Sequence, residues 1–575
     1  MVPSHEAEPL QAPSTKAKIA VLVALAALLF IVGLGSVPLL EPDEPYYAVP
    51  AREMLESGSW QVPIFHGRPW FDKPILFYWM ILGAYRLLGV SEFAARIGSA
   101  LAALVAVLAV YLAGRRSAVV GGRSRLDERA AFVAALILAT NLEYVLMARA
   151  AVTDMTLTAS LTLGMLAAAR YLGSGRSSSA FLAGLAFGLA ILTKGPVGLL
   201  LPGVALLAYA TLLRRGDLLR PSALAAGAAG VLLIASPWYL YMLFAHRDLL
   251  ITTFIGEGNL GRFLSPEHVW FPGYYLAVLA FGLLPWSGGL PASLVSALGS
   301  ARGSGEEGSR GSSGERGAGR PPGPLYELCW FGSVLLVFSL SASKLASYIL
   351  PAFPPAAMLL GRYWHARLAP GSSAHHGRGP RSAAWVGVVL AGAIAAALAH
   401  AGSSEKLKAA GPAAAATGAV LLAGSLVAVV MVRRGSLAGL CAVQSGTCVA
   451  VVLLLLCLAV PRLEPLVSAR PLVRDLERRG LAGEVLGIYR RSEEFGLDYY
   501  LGRSMTRIKK LEELRRQVAE SPGGIWILRT GDLDTIAGDP SLAATEVAHG
   551  PELSAARLTP RPGALGGHVK SGGEP

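Results

Sequence analysis

The sequence predicts a polytopic, all-α membrane protein of about thirteen transmembrane helices, followed by a small α/β domain at the carboxyl end. Of the 575 residues, 53% are hydrophobic and 15% are charged, whereas about a quarter of the residues of a soluble domain are charged. The apolar residues form long runs separated by short basic loops, as in multi-span membrane proteins. The last segment, 461–575, lacks such runs and combines helix-like with strand-like patterns.

The net charge of +13 is unevenly distributed along the chain. Residues 461–575 contain 17 basic and 16 acidic residues, so +12 of the surplus belongs to residues 1–460. Basic loops between apolar runs orient a membrane protein, so this surplus favours a topological role over nucleic-acid binding. The four cysteines lack metal-ligand spacing, and we expect neither a disulfide nor a structural metal from them.

The first apolar run, 19–40, follows Lys16 and Lys18 and is long enough to cross a hydrocarbon core of about 30 Å. A cleavable signal peptide is the alternative, but its apolar region would be shorter, and no small-x-small cleavage site precedes Glu41. We therefore expect an uncleaved span with a cytoplasmic amino terminus.

The arginines at 115–129 determine the next step, because basic loops stay on the cytoplasmic side. One span at 93–113 brings them inside and leaves 41–92 as a large external loop. Its aromatic-rich stretch 75–90 is then interpreted as a helix lying in the membrane interface. The remaining spans are predicted at 130–147, 154–173, 178–193, 197–213, 221–245, 273–298, 324–342, 346–363, 383–400, 413–432 and 437–460.

This topology divides the chain into a transmembrane catalytic domain, 1–460, and a periplasmic α/β domain, 461–575. In the latter we predict helices at 473–479 and 511–520 and strands at 484–489 and 524–528, with a disordered low-complexity end after Pro560. The Gly/Ser-rich, charged segment 301–323 cannot bury a core, so it is predicted to be a flexible cytoplasmic linker.

Ionisable residues at membrane depth or at span ends are costly and usually mark function. In the predicted topology they gather at the outer ends of spans, and a solvated acidic cap is the alternative for Asp43 and Glu44 taken alone. Several carboxylates and cations at one membrane surface suit chemistry on a phosphate-bearing lipid, because cations neutralise phosphate and a carboxylate handles a proton or an amino group. The residues in question are Asp43, Glu44, Lys73, Asp154, Lys194, Arg262 and Lys344.

Together, the phrases around these residues resemble a known family. In order, they are Asp43-Glu44 with Tyr47, Arg52-Glu53-Met54, Lys73-Pro74, Glu92-Phe93 with Arg96, Thr153-Asp154-Met155, Thr193-Lys194-Gly195-Pro196, Asn259 with Arg262-Phe263, Pro285-Trp286, and Ser343-Lys344-Leu345 with Tyr348. The sequence is similar to the bacterial lipid A 4-amino-4-deoxy-L-arabinose transferases and the related dolichyl-phosphate-mannose protein mannosyltransferases. These are polytopic GT-C glycosyltransferases with lipid-linked sugar donors, and the resemblance extends from 43 to 355.

The resemblance implies a role for each matching residue. Asp43 stands where the family has its principal catalytic carboxylate, with Glu44 beside it, and Asp154 is the second essential carboxylate. The donor phosphate would be held by Lys73, Arg262 and Tyr348. Lys194 and Lys344 would either join them or anchor loops and face lipid headgroups.

A metal site of the family type is doubtful in this chain, and no cofactor is required. Relatives often have Glu before the loop lysine and His in a later loop, where this sequence has Asp72 and either Gly258 or Asn259. Asp72 and Asn259 therefore remain the candidates for a divalent metal.

The expected function is a glycosyltransferase of the bacterial inner membrane, working on the periplasmic side. It would move a sugar, 4-amino-4-deoxy-L-arabinose or another pentose or hexose, from a polyprenyl-phosphate donor to lipid A, another glycan or a protein. A flippase for lipid-linked sugars is the alternative, although its ionisable residues should lie near the membrane midplane. A scaffold that acts through its tail is a third possibility. Trp60, Trp70 and Tyr78 are interpreted as interface anchors rather than sugar platforms.

Overall fold

The structure is a computed structural model, and it describes residues 14–118, 127–213, 216–261, 271, 273–310, 322–369, 377–405, 407–490 and 494–561. Helices dominate the chain as far as residue 467. The α-helices of this part are α1 (Thr15–Ala26), α2 (Pro45–Ser57), α3 (Leu76–Leu88), α4 (Glu92–Ala118), α5 (Glu128–Ala139), α6 (Leu142–Ala148), α7 (Thr153–Ser174), α8 (Ser177–Lys194), α9 (Val197–Leu212), α10 (Pro221–Ala245), α11 (Tyr274–Gly282), α12 (Leu290–Arg310), α13 (Pro324–Leu340), α14 (Phe353–Leu368), α15 (Arg378–Ser403), α16 (Gly411–Arg433), α17 (Leu437–Leu454) and α18 (Val460–Val467).

Within the described ranges, six helices are long and apolar enough to cross a membrane, or seven if α5 and α6, which are bent by 64°, form one span. The six are Glu92–Gly114, Ser177–Lys194, Pro221–Ala245, Arg378–Ser403, Lys408–Arg433 and Leu437–Val467. The chain is a multi-span helical membrane protein.

Two predicted spans are interrupted in the structure. The predicted span 273–298 is divided into α11 and α12 by a short 3-10 turn, Ser287–Gly289. The predicted span 346–363 begins as a 3-10 helix, Ala346–Ala352, before α14. Pro285 and Pro351 lie at these interruptions, and proline has no N–H group to continue an α-helical ladder.

The prediction of a flexible linker at 301–323 is wrong for its first ten residues. They continue α12, which runs to Arg310, while 311–321 lie outside the described residues. Glycine, serine and charged residues are poor but possible helix residues, and an existing helix extends more easily than a new one begins.

The segment 41–92 contains two helices and a small hairpin. After α2, strand β1 (Ile64–Phe65) pairs with β2 (Arg68–Pro69), and α3 occupies most of the predicted interfacial stretch 75–90. One face of α3 is buried, with Phe77, Tyr78, Ile81, Leu82 and Tyr85 inside. This spacing is the apolar stripe of an amphipathic helix.

The carboxyl-terminal part forms a five-stranded sheet flanked by helices. Its helices are α19 (Arg470–Arg478), α20 (Phe495–Leu501), α21 (Leu511–Glu520) and α22 (Leu533–Ala537), and its strands are β3 (Val485–Tyr489), β4 (Thr506–Ile508), β5 (Ile525–Arg529), β6 (Leu542–Ala548) and β7 (Leu553–Pro560). The strand order is β4-β3-β5-β7-β6. Strand β3 is parallel to β4 and β5, and β7 is antiparallel to β5 and β6. We call residues 470–561 the C-terminal unit.

Candidate active site

Glu44 is one of the most completely bound carboxylates in the structure. It is 2% exposed and accepts hydrogen bonds from Arg96 Nε (2.7 Å) and Nη2 (2.5 Å). The backbone N–H groups of Leu40 (2.8 Å) and Ala151 (2.7 Å) also donate to it. Arg96 in turn donates to the carbonyls of Leu34, Val37 and Pro38. Glu44 therefore holds together the end of the first apolar run, the start of α2 and the loop before α7.

Asp43 is exposed at the same turn. The N–H of Tyr46 donates to the Pro42 carbonyl and that of Ala48 to the Glu44 carbonyl, so residues 42–48 follow a helical path. Residues four apart lie on one helix face, so Asp43 lies on the same face as Tyr47, one turn before it. The side chain of Tyr47 is buried and lies within electrostatic reach of both Asp72 and Asp154.

Asp72 and Lys73 form a buried ion pair at the start of α3. The Lys73 ammonium donates to Asp72 Oδ2 at 2.7 Å, and each residue is 8% exposed. Such a pair is costly to place in a low-dielectric environment unless its remaining hydrogen-bonding capacity is met.

Asp154 and Lys194 form a second ion pair. Asp154 lies in the first turn of α7 and Lys194 at the last residue of α8, and their atoms Oδ1 and Nζ are 2.6 Å apart. The Lys194 ammonium also lies 4.6 Å from the centre of the Tyr348 ring, a cation–π distance. The structure therefore brings together three of the predicted site residues, which are separated by up to 194 positions in the sequence.

Lys344 differs from the other two lysines. Its ammonium donates to the Ser341 carbonyl at 2.7 Å, beyond the end of α13. Within the part of the chain that the structure describes, it forms no ion pair with a carboxylate. Its positive charge is thus the least compensated of the three.

Two predicted site residues cannot be placed in this arrangement. Arg262 lies outside the described residues, and the backbone of Asn259 belongs to the π-helical segment Leu249–Gly261, whose side chains in that region are not described. Among the described residues, no group of three His, Cys, Asp or Glu side chains is arranged to hold a metal ion. The Asp72 carboxylate is engaged by Lys73.

Comparisons with known proteins place this arrangement in context. Residues 72–241 match the family model described as "Dolichyl-phosphate-mannose-protein mannosyltransferase". The chain is similar to the crystal structure of ArnT from Cupriavidus metallidurans bound to undecaprenyl phosphate, with a TM-score of 0.76 at 22% identity, covering 94% of this chain and 98% of that one. The chain shares the fold of that ArnT structure. The predicted family resemblance is confirmed.

Curated relatives extend the likeness to the sequence. The undecaprenyl phosphate-alpha-4-amino-4-deoxy-L-arabinose arabinosyl transferase of Edwardsiella ictaluri is 34% identical over 353 residues, which are 60% of this chain and 58% of that protein. The protein of the same name from Pectobacterium carotovorum is 33% identical over 395 residues, 67% of this chain and 65% of that one. The chain thus covers 57–59% of the length of the first three such relatives.

Two residues near the candidate site were not assigned a role from the sequence. Glu143 on α6 has a buried Oε1 atom with no hydrogen-bond partner in the described structure, and it lies within electrostatic reach of Asp154. Tyr275 on α11 interacts electrostatically with Tyr348 and Asp154. Glu143 could have been found, because it is a carboxylate inside the predicted span 130–147. Tyr275 carries no such signal.

The aromatic residues of the loop have different environments. Tyr78 is fully buried and its ring centre is 6.0 Å from that of Tyr47, so its interpretation as an interface anchor is wrong. Trp70 packs edge-on against Tyr46 at 5.4 Å. Trp60 is 40% exposed, and its carbonyl accepts a hydrogen bond from Trp79.

A separate polar cluster marks the opposite end of the same helices. The ammonium of Lys18 lies 2.8 Å from Glu128 Oε1, which also accepts the Tyr111 hydroxyl at 2.9 Å. Tyr111 is 15 residues beyond Arg96 on α4, about 22 Å along a helix axis. The candidate site residues that the structure describes therefore lie at the end of the bundle away from this cluster.

Proposed function

We propose that the chain is a membrane glycosyltransferase that moves a sugar from a polyprenyl-phosphate donor to lipid A or another envelope acceptor. The observation that carries this proposal is the cluster of Asp154, Lys194, Tyr348 and Lys344 at one end of the helices, with Asp43 on the adjoining loop. Relatives that are 31–34% identical to this chain over 352–353 residues are named as arabinosyl transferases with an undecaprenyl-phosphate-linked donor. The transferred sugar is 4-amino-4-deoxy-L-arabinose or another pentose or hexose.

The topology belongs to the same proposal. Thirteen crossings would place the amino terminus in the cytoplasm, with the site, the loop 41–92 and the C-terminal unit in the periplasm. The Lys18–Glu128 pair supports this arrangement, because it joins the basic amino-terminal end to the end of the bundle away from Glu44 and Arg96. The contacts of Glu41 with Phe495 and Gly496 support a common side of the membrane for the loop and the C-terminal unit.

The lysines would neutralise the donor phosphate. Polyprenyl phosphate is the leaving group, so negative charge grows on its oxygens as the bond to the sugar breaks, and preorganised cations stabilise that charge. Among the described residues Lys344 forms no ion pair, while Lys73 and Lys194 are each held in place by a carboxylate. Arg262 and the Tyr348 hydroxyl complete the proposed phosphate contacts.

Asp43 is the proposed base. An acceptor hydroxyl would attack the anomeric carbon in line, giving inversion, and Asp43 would take its proton. If the acceptor is a phosphate of lipid A, no base is needed, and Asp43 would orient the acceptor or contact the sugar. No step in this scheme involves a metal.

Glu44 is assigned a positioning role in place of the catalytic one implied by the family resemblance. Its two oxygens already accept four hydrogen bonds from protein donors, and a general base needs an oxygen that can reach the substrate. Glu44 instead fixes the turn that presents Asp43.

The test is transfer by purified protein in liposomes, with a synthetic polyprenyl-phosphate sugar and lipid A as acceptor, read by mass spectrometry. Wild type should form product. Asp43→Ala should form none, because it removes both a base and a contact to the acceptor or the sugar, and Asp534→Asn, an exposed aspartate of the C-terminal unit, should match wild type. Full turnover by Asp43→Ala would overturn the catalytic assignment. Movement of the donor across the bilayer without any product would favour the flippase alternative.

A further inference from the structure

The C-terminal unit contacts the stretch of chain that carries Asp43. The Glu41 carboxyl group accepts hydrogen bonds from the backbone N–H groups of Phe495 (3.1 Å) and Gly496 (2.5 Å), at the start of α20. The N–H of Leu39 donates to the Tyr500 hydroxyl at 2.8 Å. Two residues just before Asp43 are therefore bound to a single helix of the C-terminal unit.

Further contacts continue along α2. The Arg52 guanidinium donates to the Tyr499 carbonyl at 2.8 Å, and the ring centres of Tyr46 and Phe495 are 5.7 Å apart. Arg52 is 5% exposed, so this contact is shielded from solvent. Helix α20 therefore follows α2 for more than one turn beyond Asp43.

Gly496 shows how closely the two parts approach. A Cβ atom at this position would lie 2.1 Å from Glu41 Oε1. Any side chain here would push the Glu41 carboxyl group away, so the fit depends on a residue of the C-terminal unit as much as on the loop.

On its other side, Asp43 adjoins an anchor in the membrane part. Glu44 is bound to Arg96 and to the N–H of Ala151. The exposed Asp43 thus lies in a short turn whose flanking residues are fixed from two directions, by the C-terminal unit through Glu41 and by the helix bundle through Glu44.

We propose that the C-terminal unit is a positioning element of the active site, in which Glu41, Gly496 and Tyr500 hold the turn so that the Asp43 carboxylate faces the acceptor. This inference rests on the proposed function, since it gives Asp43 the role described above. Glu41 and Tyr500 are positioning residues, because they act through the backbone on either side of a catalytic group. A displacement of about 1 Å at a reacting group lowers a rate about 100-fold.

The experiment uses the full-length protein and three substitutions that loosen the contact from either side. Glu41→Ala removes the acceptor of two N–H groups, Tyr500→Phe removes the acceptor of one, and Gly496→Ala displaces Glu41 without changing the loop. Glu41→Gln is the conservative variant, because its carbonyl oxygen can still accept one N–H. Arg515→Ala is the control, since it breaks an ion pair with Asp539 inside the C-terminal unit.

Two readouts separate positioning from general destabilisation. Steady-state transfer gives kcat and the donor KM, and hydrogen exchange reports the protection of the peptide containing 39–44. We expect Glu41→Ala and Gly496→Ala to lower kcat about 10- to 100-fold with the donor KM changed less than about twofold, and to lose protection in that peptide. Tyr500→Phe should have a smaller effect in the same direction, Glu41→Gln should restore part of kcat, and Arg515→Ala should match wild type.

The inference is overturned if Glu41→Ala and Gly496→Ala keep wild-type kcat, or if only the donor KM rises. It is also overturned if Arg515→Ala lowers kcat as much as they do, because the effect would then be general. If wild type itself transfers no sugar, the proposed function fails, and hydrogen exchange alone decides whether the contact holds the turn. Unchanged protection in Glu41→Ala would then refute the contact as well.

Discussion

Substitution of Glu44 gives the sharpest separation between a positioning and a catalytic carboxylate. Glu44→Gln keeps the shape of the side chain but leaves one carbonyl oxygen to serve four donors that Glu44 now satisfies. A carbonyl oxygen accepts about two hydrogen bonds, so about two buried donors lose their partner, one of them on the Arg96 guanidinium. Each such loss costs about 1–3 kcal/mol, and breaking a buried ion pair costs about 3–5 kcal/mol.

We therefore expect Glu44→Gln to lose about 3–5 kcal/mol of stability and Asp43→Asn, one residue earlier and exposed, to lose clearly less. The measurement is the thermal unfolding midpoint of the purified proteins in detergent, followed by tryptophan fluorescence. Both variants should have reduced transfer, but only Glu44→Gln should unfold at a clearly lower temperature. A Glu44→Gln variant with wild-type stability and no activity would refute the positioning role and restore Glu44 as a catalytic residue.

Three more predictions follow from the other charged groups. Lys194→Gln and Asp154→Asn should each destabilise the protein. The double variant should be at least as stable as either single variant, because removing both partners leaves no unpaired buried charge. Transfer should be lost in all three variants. Lys344→Gln should keep wild-type stability and lower kcat/KM for the donor about 10- to 100-fold, the value of one charge-assisted hydrogen bond of about 1.5–3 kcal/mol. Burial, together with the nearby Glu494 carboxylate, raises the pKa of Glu41 from 4.5 to about 9. The contribution of Glu41 to stability is therefore complete below pH 4.5 and is lost as the pH rises through 9. The thermal unfolding midpoint of wild type should fall more steeply over this pH range than that of Glu41→Gln.

Each of these predictions has its own contrary result. A double variant at Asp154 and Lys194 that is less stable than both single variants would show that the two side chains do not form a pair. For Lys344, the matched control is Lys509→Gln, an exposed lysine of the C-terminal unit; equal losses of activity in both would argue against a phosphate contact. Parallel pH curves for wild type and Glu41→Gln would show that Glu41 does not titrate in the folded protein.

The sequence predicts which residue types gather at the site better than it predicts what each one does. Asp43 and Glu44 are adjacent carboxylates in one turn, and nothing in their local pattern tells which is exposed. The difference arises from Arg96, 52 positions after Glu44, whose guanidinium binds only one of them. Such long-range contacts depend on the packing of α4 against the loop and cannot be deduced from local spacing.

The helices were easier to predict than their interruptions and the sheet. Composition identified the apolar runs. Pro285 and Pro351 divide two of these runs, and the breaks were not predicted because a hydropathy window averages over them. In the C-terminal unit the predicted strands at 484–489 and 524–528 correspond closely to β3 and β5, which are rich in Ile, Val and Leu. Strands β6 and β7 are rich in alanine, a residue depleted in strands, so their sequences do not predict them.

The central claim is that Asp43 acts on an acceptor while a cluster of lysines at the same end of the bundle neutralises a polyprenyl-phosphate donor. The most direct measurement is the single-turnover rate of sugar transfer in liposomes for wild type, Asp43→Asn and Lys344→Gln, with the product identified by mass spectrometry. We expect rapid transfer by wild type, little or none by Asp43→Asn, and a slow rate for Lys344→Gln. Equal rates for all three proteins would contradict the claim.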